Sequence, residues 1–136
     1  MIATLPAALA LFALQAPGGQ DCRDPQAQSD MNICASIAFE RADAELNAEY
    51  CRAVVRARAA DRAIAGQLPA RDQRPGEEDT LREAQRAWVA FRDAHCRLQG
   101  YQSRGGSMEQ LFYDGCRAAV TRERTAQLRR GSAQDR

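Results

Sequence analysis

Apolar side chains along this chain recur three and four positions apart and almost nowhere alternate with a period of two, a pattern that predicts helices and no sheet. From Ser29 to about Ala65, the residues Met31, Cys34, Ala35, Ala38, Phe39, Ala42, Leu46, Tyr50, Ala53, Ala60 and Ile64 fall within one arc of a helical wheel, which predicts a long amphipathic helix. Glu45, Glu49 and Arg56 interrupt the lower half of this stripe, so that half is expected either to twist around its neighbours or to be partly solvated. Gly66 marks the end of the helix. A polar connection then runs from Gln67 through Pro69, Pro75 and Gly76 to Asp79, longer than a helix connection needs.

Thr80 followed by Glu83 has the form of a capping box, and the acids Glu77, Glu78 and Asp79 suit the positive end of a second helix. Its apolar face is expected to be Leu81, Ala84, Trp88, Phe91, His95 and Leu98, flanked by Gln85 and Arg92 and stopped by Gly100. The turn Gly105, Gly106, Ser107 leads, with Ser107 and Gln110 repeating the capping pattern, into a third helix whose buried side is expected to be Met108, Phe112, Cys116, Ala119 and Val120. No internal repeat is present. The fold class that follows is all-α, an antiparallel three-helix bundle running up, down and up as a single domain over residues 19–130, with residues 131–136 as a frayed tail.

The start of the chain sets the compartment. Ile2 to Leu14 is an apolar run without a charge, too short to span a bilayer and followed by Pro17, Gly18 and Gly19, as in a secretory signal peptide. Cleavage after Gly18, with Ala16 three residues upstream of the bond, makes residues 1–18 the signal and leaves a periplasmic or secreted protein without a stable membrane anchor. The context of Cys22 is Gly19, Gln20 and Asp21, which is not that of a lipid-attachment cysteine.

Composition narrows the chemistry. The chain of 136 residues carries 19 basic and 18 acidic side chains, a net charge of +1 that argues against a nucleic-acid partner. Every basic residue is Arg, which excludes Schiff-base and phosphate-loop lysine chemistry. With four Phe, three Tyr and one Trp the apolar content is largely Ala, so the core is thin and calls for staples. Five cysteines, Cys22, Cys34, Cys51, Cys96 and Cys116, provide for them in an oxidising compartment. No pair is spaced Cys-x-x-Cys and His95 is the sole histidine, so neither a metal site nor a cofactor is expected. His95 and Cys96 diverge on a helix and form no catalytic pair, and Glu45 with Glu49 lacks any nucleophile or oxyanion device, so the chain does not read as an enzyme.

In an up-down-up bundle the start of the first helix, the end of the second and the start of the third meet at one end, which gathers Cys22, Cys34, Cys96 and Cys116. Four cysteines allow three pairings, of which Cys22 with Cys34 and Cys96 with Cys116 requires the least rearrangement. Cys51 lies about 25 Å along the helix from Cys34 and is expected to be a free, largely buried thiol, or else to bridge two chains.

Several motifs together carry a family resemblance. Asp43, Leu46, Asn47 and Tyr50 are followed by Gln85, Trp88, Phe91, Arg92 and Cys96, then by Gly105, Gly106 and Ser107, and finally by Cys116, Thr121, Arg124 and Leu128. From Cys22 to Leu128 the chain resembles the LprI-type lysozyme-inhibitor domain, a family of small exported bacterial helical proteins. Cys51 departs from that pattern, as does the lack of a lipid-anchoring cysteine. The resemblance implies a protein that binds and inhibits a lysozyme-like muramidase. A different class stays open beside it, a non-catalytic envelope module binding peptidoglycan or a periplasmic protein. We read Trp88 and Phe91 as core, and Asn47, Tyr50, Gln85 and Arg92 as a network fixing helix register rather than a recognition cleft, with Asp43 opposite Ala87. Partner contacts are then expected from the loops Gln67 to Asp79, with Glu77, Glu78 and Asp79 facing a cationic enzyme, and Gly100 to Ser107, with Tyr101 and Arg104. Charge is uneven along the chain, since Arg117 to Arg136 holds six arginines against Glu123 and Asp135.

Overall fold

The computed structural model describes residues 21–131; the expected signal segment 1–18 lies outside them, as does the expected tail after Gly131. Three helices form, α1 (Gln28–Ile64), α2 (Glu77–Gly100) and α3 (Glu109–Gly131), with a short 3₁₀ turn at Tyr101–Ser103. No strand is present among the described residues. At 37 residues α1 is by far the longest element, roughly 55 Å, and serves as the spine on which the other two pack.

α3 runs parallel to α1 and α2 runs antiparallel to both. Asn32 at the start of α1 donates to the Ser107 carbonyl just before α3 (3.0 Å), and far down the bundle Arg56 donates to the Leu128 carbonyl (3.2 Å). Cystines Cys22–Cys34 and Cys96–Cys116 both lie at the end where α1 and α3 begin and α2 finishes. The second of them joins α2 to α3 with Cα atoms 5.4 Å apart. α2 and α3 approach so closely beside it that a Cβ on Gly100 would stand 3.3 Å from the Glu109 carbonyl and 3.4 Å from the Tyr113 Cβ. Gly100 therefore permits contact and, as expected, ends α2, which leads directly into the 3₁₀ turn.

α1 ends at Ile64, and Gly66 takes φ 78°, a left-handed turn that a side chain would strain. Neither expected capping box forms. α2 begins at Glu77, so Glu77, Glu78 and Asp79 occupy its first turn instead of a loop. The cap comes from α1: the Asp61 carboxylate accepts the backbone N–H groups of Glu77 (2.6 Å) and Glu78 (3.0 Å). The Thr80 hydroxyl instead donates back to the Gly76 carbonyl. Ahead of α3 it is the Glu109 carboxylate that reaches back to the Gly105 N–H.

The interior has two parts. In the lower half Leu46, Ala53 and Leu128 form an apolar cluster, with Tyr50, Leu81 and Trp88 packed against it. Elsewhere polar groups share the buried faces: Gln85 and Arg92 on α2, and Asp114, Thr121 and Thr125 on α3, beside the buried Cys96 and Ala118. This rotates both helices away from the expected orientation. Phe91 is 59% exposed and Leu98 65%, and Met108, Phe112 and Ala119 also face solvent, because the inward positions are taken by Gln85, Arg92, Asp114, Thr121 and Thr125. On α1 the expected interruption at Glu49 is a buried residue, whereas Glu45 and Ile64 are exposed. Cys51 is a free thiol, as expected, but an exposed one, since the side of α1 it occupies meets neither neighbour.

Candidate functional site

Arg92 is the centre of the polar interior. Burial works to lower its pKa, and hydrogen bonds to Asp93 (2.8 Å) and Asp43 (2.9 Å) outweigh that and raise it. The guanidinium carbon lies 5.0 Å from the Phe39 ring centre and 5.2 Å from that of Trp88. Arg117 also lies over Phe39, at 3.7 Å, covers Tyr113 at 4.3 Å and pairs with the fully buried Asp114. A ladder of alternating rings and guanidiniums, Trp88, Arg92, Phe39, Arg117 and Tyr113, thus crosses all three helices, and each stacked contact adds attraction beyond area burial. Below it Gln85 accepts from Arg124 (3.2 Å), whose guanidinium also stands 5.9 Å from the Trp88 ring and whose pKa burial pushes down.

Asp43, Gln85, Trp88, Arg92 and Arg124 from the sequence pattern are therefore brought together. Leu46 is in the apolar cluster with Tyr50 against it, and exposed Asn47 donates to Asp43 (3.1 Å). Phe91 stays apart, stacked outside on His95 with ring centres 5.3 Å apart. Sequence reasoning did not single out Asp93, Tyr113, Asp114 or Arg117, and placed Phe39 only in a stripe. Their signal is the aromatic and arginine pair at four-residue spacing, Trp88 with Arg92 and Tyr113 with Arg117, which stacks along one helical face.

The two expected docking loops differ sharply. At the lower end Glu78 is committed: hydrogen bonds from Arg58 (2.7 Å) and Arg82 (2.7 Å) hold its carboxyl down to about 2. Asp72 is likewise held to about 2 by Arg74. At the cystine end, Arg104 stacks on Tyr101 (4.5 Å) at the tip of the 3₁₀ turn, and exposed Ile33, Leu98, Tyr101, Met108 and Phe112 are concentrated there. Among these elements opens a groove of about 540 Å³, lined by Asn32, Arg97, Ser107, Glu109, Gln110 and Tyr113.

A family profile described as "Lysozyme inhibitor LprI" matches residues 21–128. The chain belongs to the LprI family. It is also 41% identical to the uncharacterized protein R02472 of Rhizobium meliloti (strain 1021), over 95% of this chain and 94% of that one. No solved structure matches. The four half-cystines of this LprI domain and its arginine ladder all lie within the matched span. Among the described residues no helix is long and apolar enough to cross a membrane, and no cluster of His, Cys, Asp and Glu is arranged to hold a metal ion.

Proposed function

We propose that this LprI protein is an exported, non-catalytic inhibitor that binds a lysozyme-like muramidase through the cystine end of its bundle. The observation that carries the reading is the concentration of large exposed apolar side chains, Ile33, Leu98, Tyr101, Met108 and Phe112, at one end of the bundle, on a backbone held by two cystines. Apolar groups left in water on a stapled scaffold mark a surface prepared for a partner, because little ordering entropy remains to be lost on docking. Family membership supplies the class of partner. Export is supported by the two cystines and by the apolar run Ile2 to Leu14. The acidic turn at Glu77 to Asp79 is the weaker candidate, since Glu78 already serves Arg58 and Arg82 and the net charge of +1 offers no general acidic complementarity.

The test is a cell-wall lysis assay with purified muramidase and increasing mature protein. Leu98→Asp and Tyr101→Ala should each raise the inhibitory concentration about tenfold, the effect of losing a docking anchor. Glu77→Gln with Asp79→Asn should leave it unchanged. A reversed order would move the contact to the lower end, and a wild-type protein that never inhibits would leave the envelope-module reading.

A further inference from the structure

At the end opposite the cystines, three guanidiniums converge on one carboxylate. Glu49 is only 4% exposed, deep on α1, and accepts Nε and Nη2 of Arg52 (3.1 and 2.8 Å) and Nη2 of Arg56 (3.2 Å), with Arg129 Nε 3.6 Å away. Burial works to raise the Glu49 carboxyl, and the bonds from Arg52 and Arg56 more than reverse it, so the acid stays ionised. One carboxylate thus fixes Arg52 and Arg56 side by side while satisfying a single edge of each. Arg52 has its Nη1 edge left and is 58% exposed, and Arg56 keeps Nε and Nη1. Two guanidiniums held by one carboxylate, each with donors left over, match the oxygens of a phosphoryl group, and part of their rotamer entropy has already been given up on folding.

Arg56 has a second surface. It lines a cleft of about 310 Å³ between the three helices, whose apolar lining is Ala53, Leu81, Leu128 and, at its exposed edge, Ala84, with Thr80 and Gln127 beside them. Glu77, also on that rim, disfavours a second anionic group and leaves room for an apolar one. We propose that this end binds a phosphomonoester carrying an apolar chain, with the phosphoryl group on Arg52 and Arg56 and the chain in the Ala53, Leu81, Ala84 and Leu128 cleft. The ligand is a single amphiphilic molecule that leaves its aggregate or membrane to enter the cleft, and the site lies at the far end from the muramidase contact.

The experiment is an NMR titration of the mature protein with inorganic phosphate, hexyl phosphate and hexanol at fixed ionic strength, beside sedimentation with phosphatidylcholine vesicles with and without phosphatidic acid. Hexyl phosphate should bind at least about tenfold tighter than phosphate, because it alone buries methylenes as well as charge. Arg52→Gln should weaken both anions about fivefold. Ala84→Trp, at an exposed cleft position, should remove the advantage of the chain and leave phosphate binding intact. Equal affinity for phosphate and hexyl phosphate overturns the cleft, binding untouched by Arg52→Gln overturns the anion site, and sedimentation with anionic vesicles without hexyl phosphate binding overturns both in favour of attraction to surface charge.

Discussion

Arg92 shows how a charge becomes structural. Its side chain is 8% exposed, yet two carboxylates and two rings surround it, so the charge is neutralised by hydrogen bonds and its flat faces are covered by π-clouds. Removing it leaves Asp43 and Asp93 without their shared cation and the two rings without their stacking partner, and Arg92→Ala should cost about 2 kcal/mol and lower the melting temperature by about 8 °C. Arg92→Lys should fall between the two, since an ammonium restores charge without the planar fork or the stacking. Calorimetry of the three proteins checks this, and muramidase inhibition measured well below the melting temperature should be the same for all. Cys51 gives a simpler test at the same scale. Being exposed on the outer side of α1, it should react with a disulfide reagent such as dithionitrobenzoate in native buffer, one thiol per chain, without denaturant. A thiol that reacts only after unfolding would contradict its place in the bundle.

At the level of the helix, the start of α2 is held by residues distant in sequence. Asp61 caps it from α1, and Glu78 in its first turn joins Arg58 of α1 to Arg82 one turn on. Asp61→Ala should therefore cost about 1 kcal/mol, the loss of an N-cap, although Asp61 lies in a different helix. The pH dependence has a definite sign. Glu78 has its folded pKa near 2, below the unfolded value of about 4.3, so its contribution is present above that unfolded value and is lost as pH falls toward 2. Denaturant melts should find Glu78→Gln less stable than wild type at pH 6 and the two converging near pH 2. These elements also show what the sequence could disclose. Helix periods and the ends of α1 were legible, because the 3.6-residue repeat and Gly66 are local signals. The rotation of α2 and α3 was not, because hydrophobic periodicity assigns apolar residues to the inside, and here Gln85, Arg92, Asp114, Thr121 and Thr125 are inside while Phe91, Leu98 and Phe112 are not. Likewise Thr80 with Glu83 is a sound local cap signal, overridden by a carboxylate 16 residues before Glu77 that only the folded bundle brings near.

The whole bundle divides its stability between two unlike ends. Below, Leu46, Ala53 and Leu128 exclude water, and above, ion pairs, stacked rings and two cystines take over from an apolar core that this Ala-rich chain is too small to extend. The meeting of four cysteines at one end was legible in the sequence because helix direction alone gathers them, and the preferred local pairing, one of three open, is the one that forms; what the cystines support, the ladder and the exposed apolar tip, required knowing which side of each helix turns inward. The two cystines are not equivalent. Their loops, with separations of 12 and 20 residues, restrict the unfolded chain by similar amounts, roughly 3 kcal/mol each in a chain-entropy account. Cys22–Cys34, however, ties only the irregular lead-in Asp21 to Ala27 to α1, so cutting it frees that segment in the folded state too and offsets much of the loss. Cys96–Cys116 joins two helices that must stay docked, and Cys96 is fully buried. Cys96→Ala with Cys116→Ala should therefore lower stability by most of that amount, whereas Cys22→Ala with Cys34→Ala should lower it by distinctly less, as read by calorimetry under oxidising conditions. Hydrogen exchange should locate the difference: loss of Cys96–Cys116 should speed exchange from Leu98 to Tyr113 while Leu46 to Ala57 stays protected by the apolar end. If the cystine end is the muramidase contact, the same variant should inhibit more weakly at temperatures where it is still folded, because the tip must then be ordered on binding. Inhibition that survives a mobile tip would instead place the contact on the lower half of the bundle.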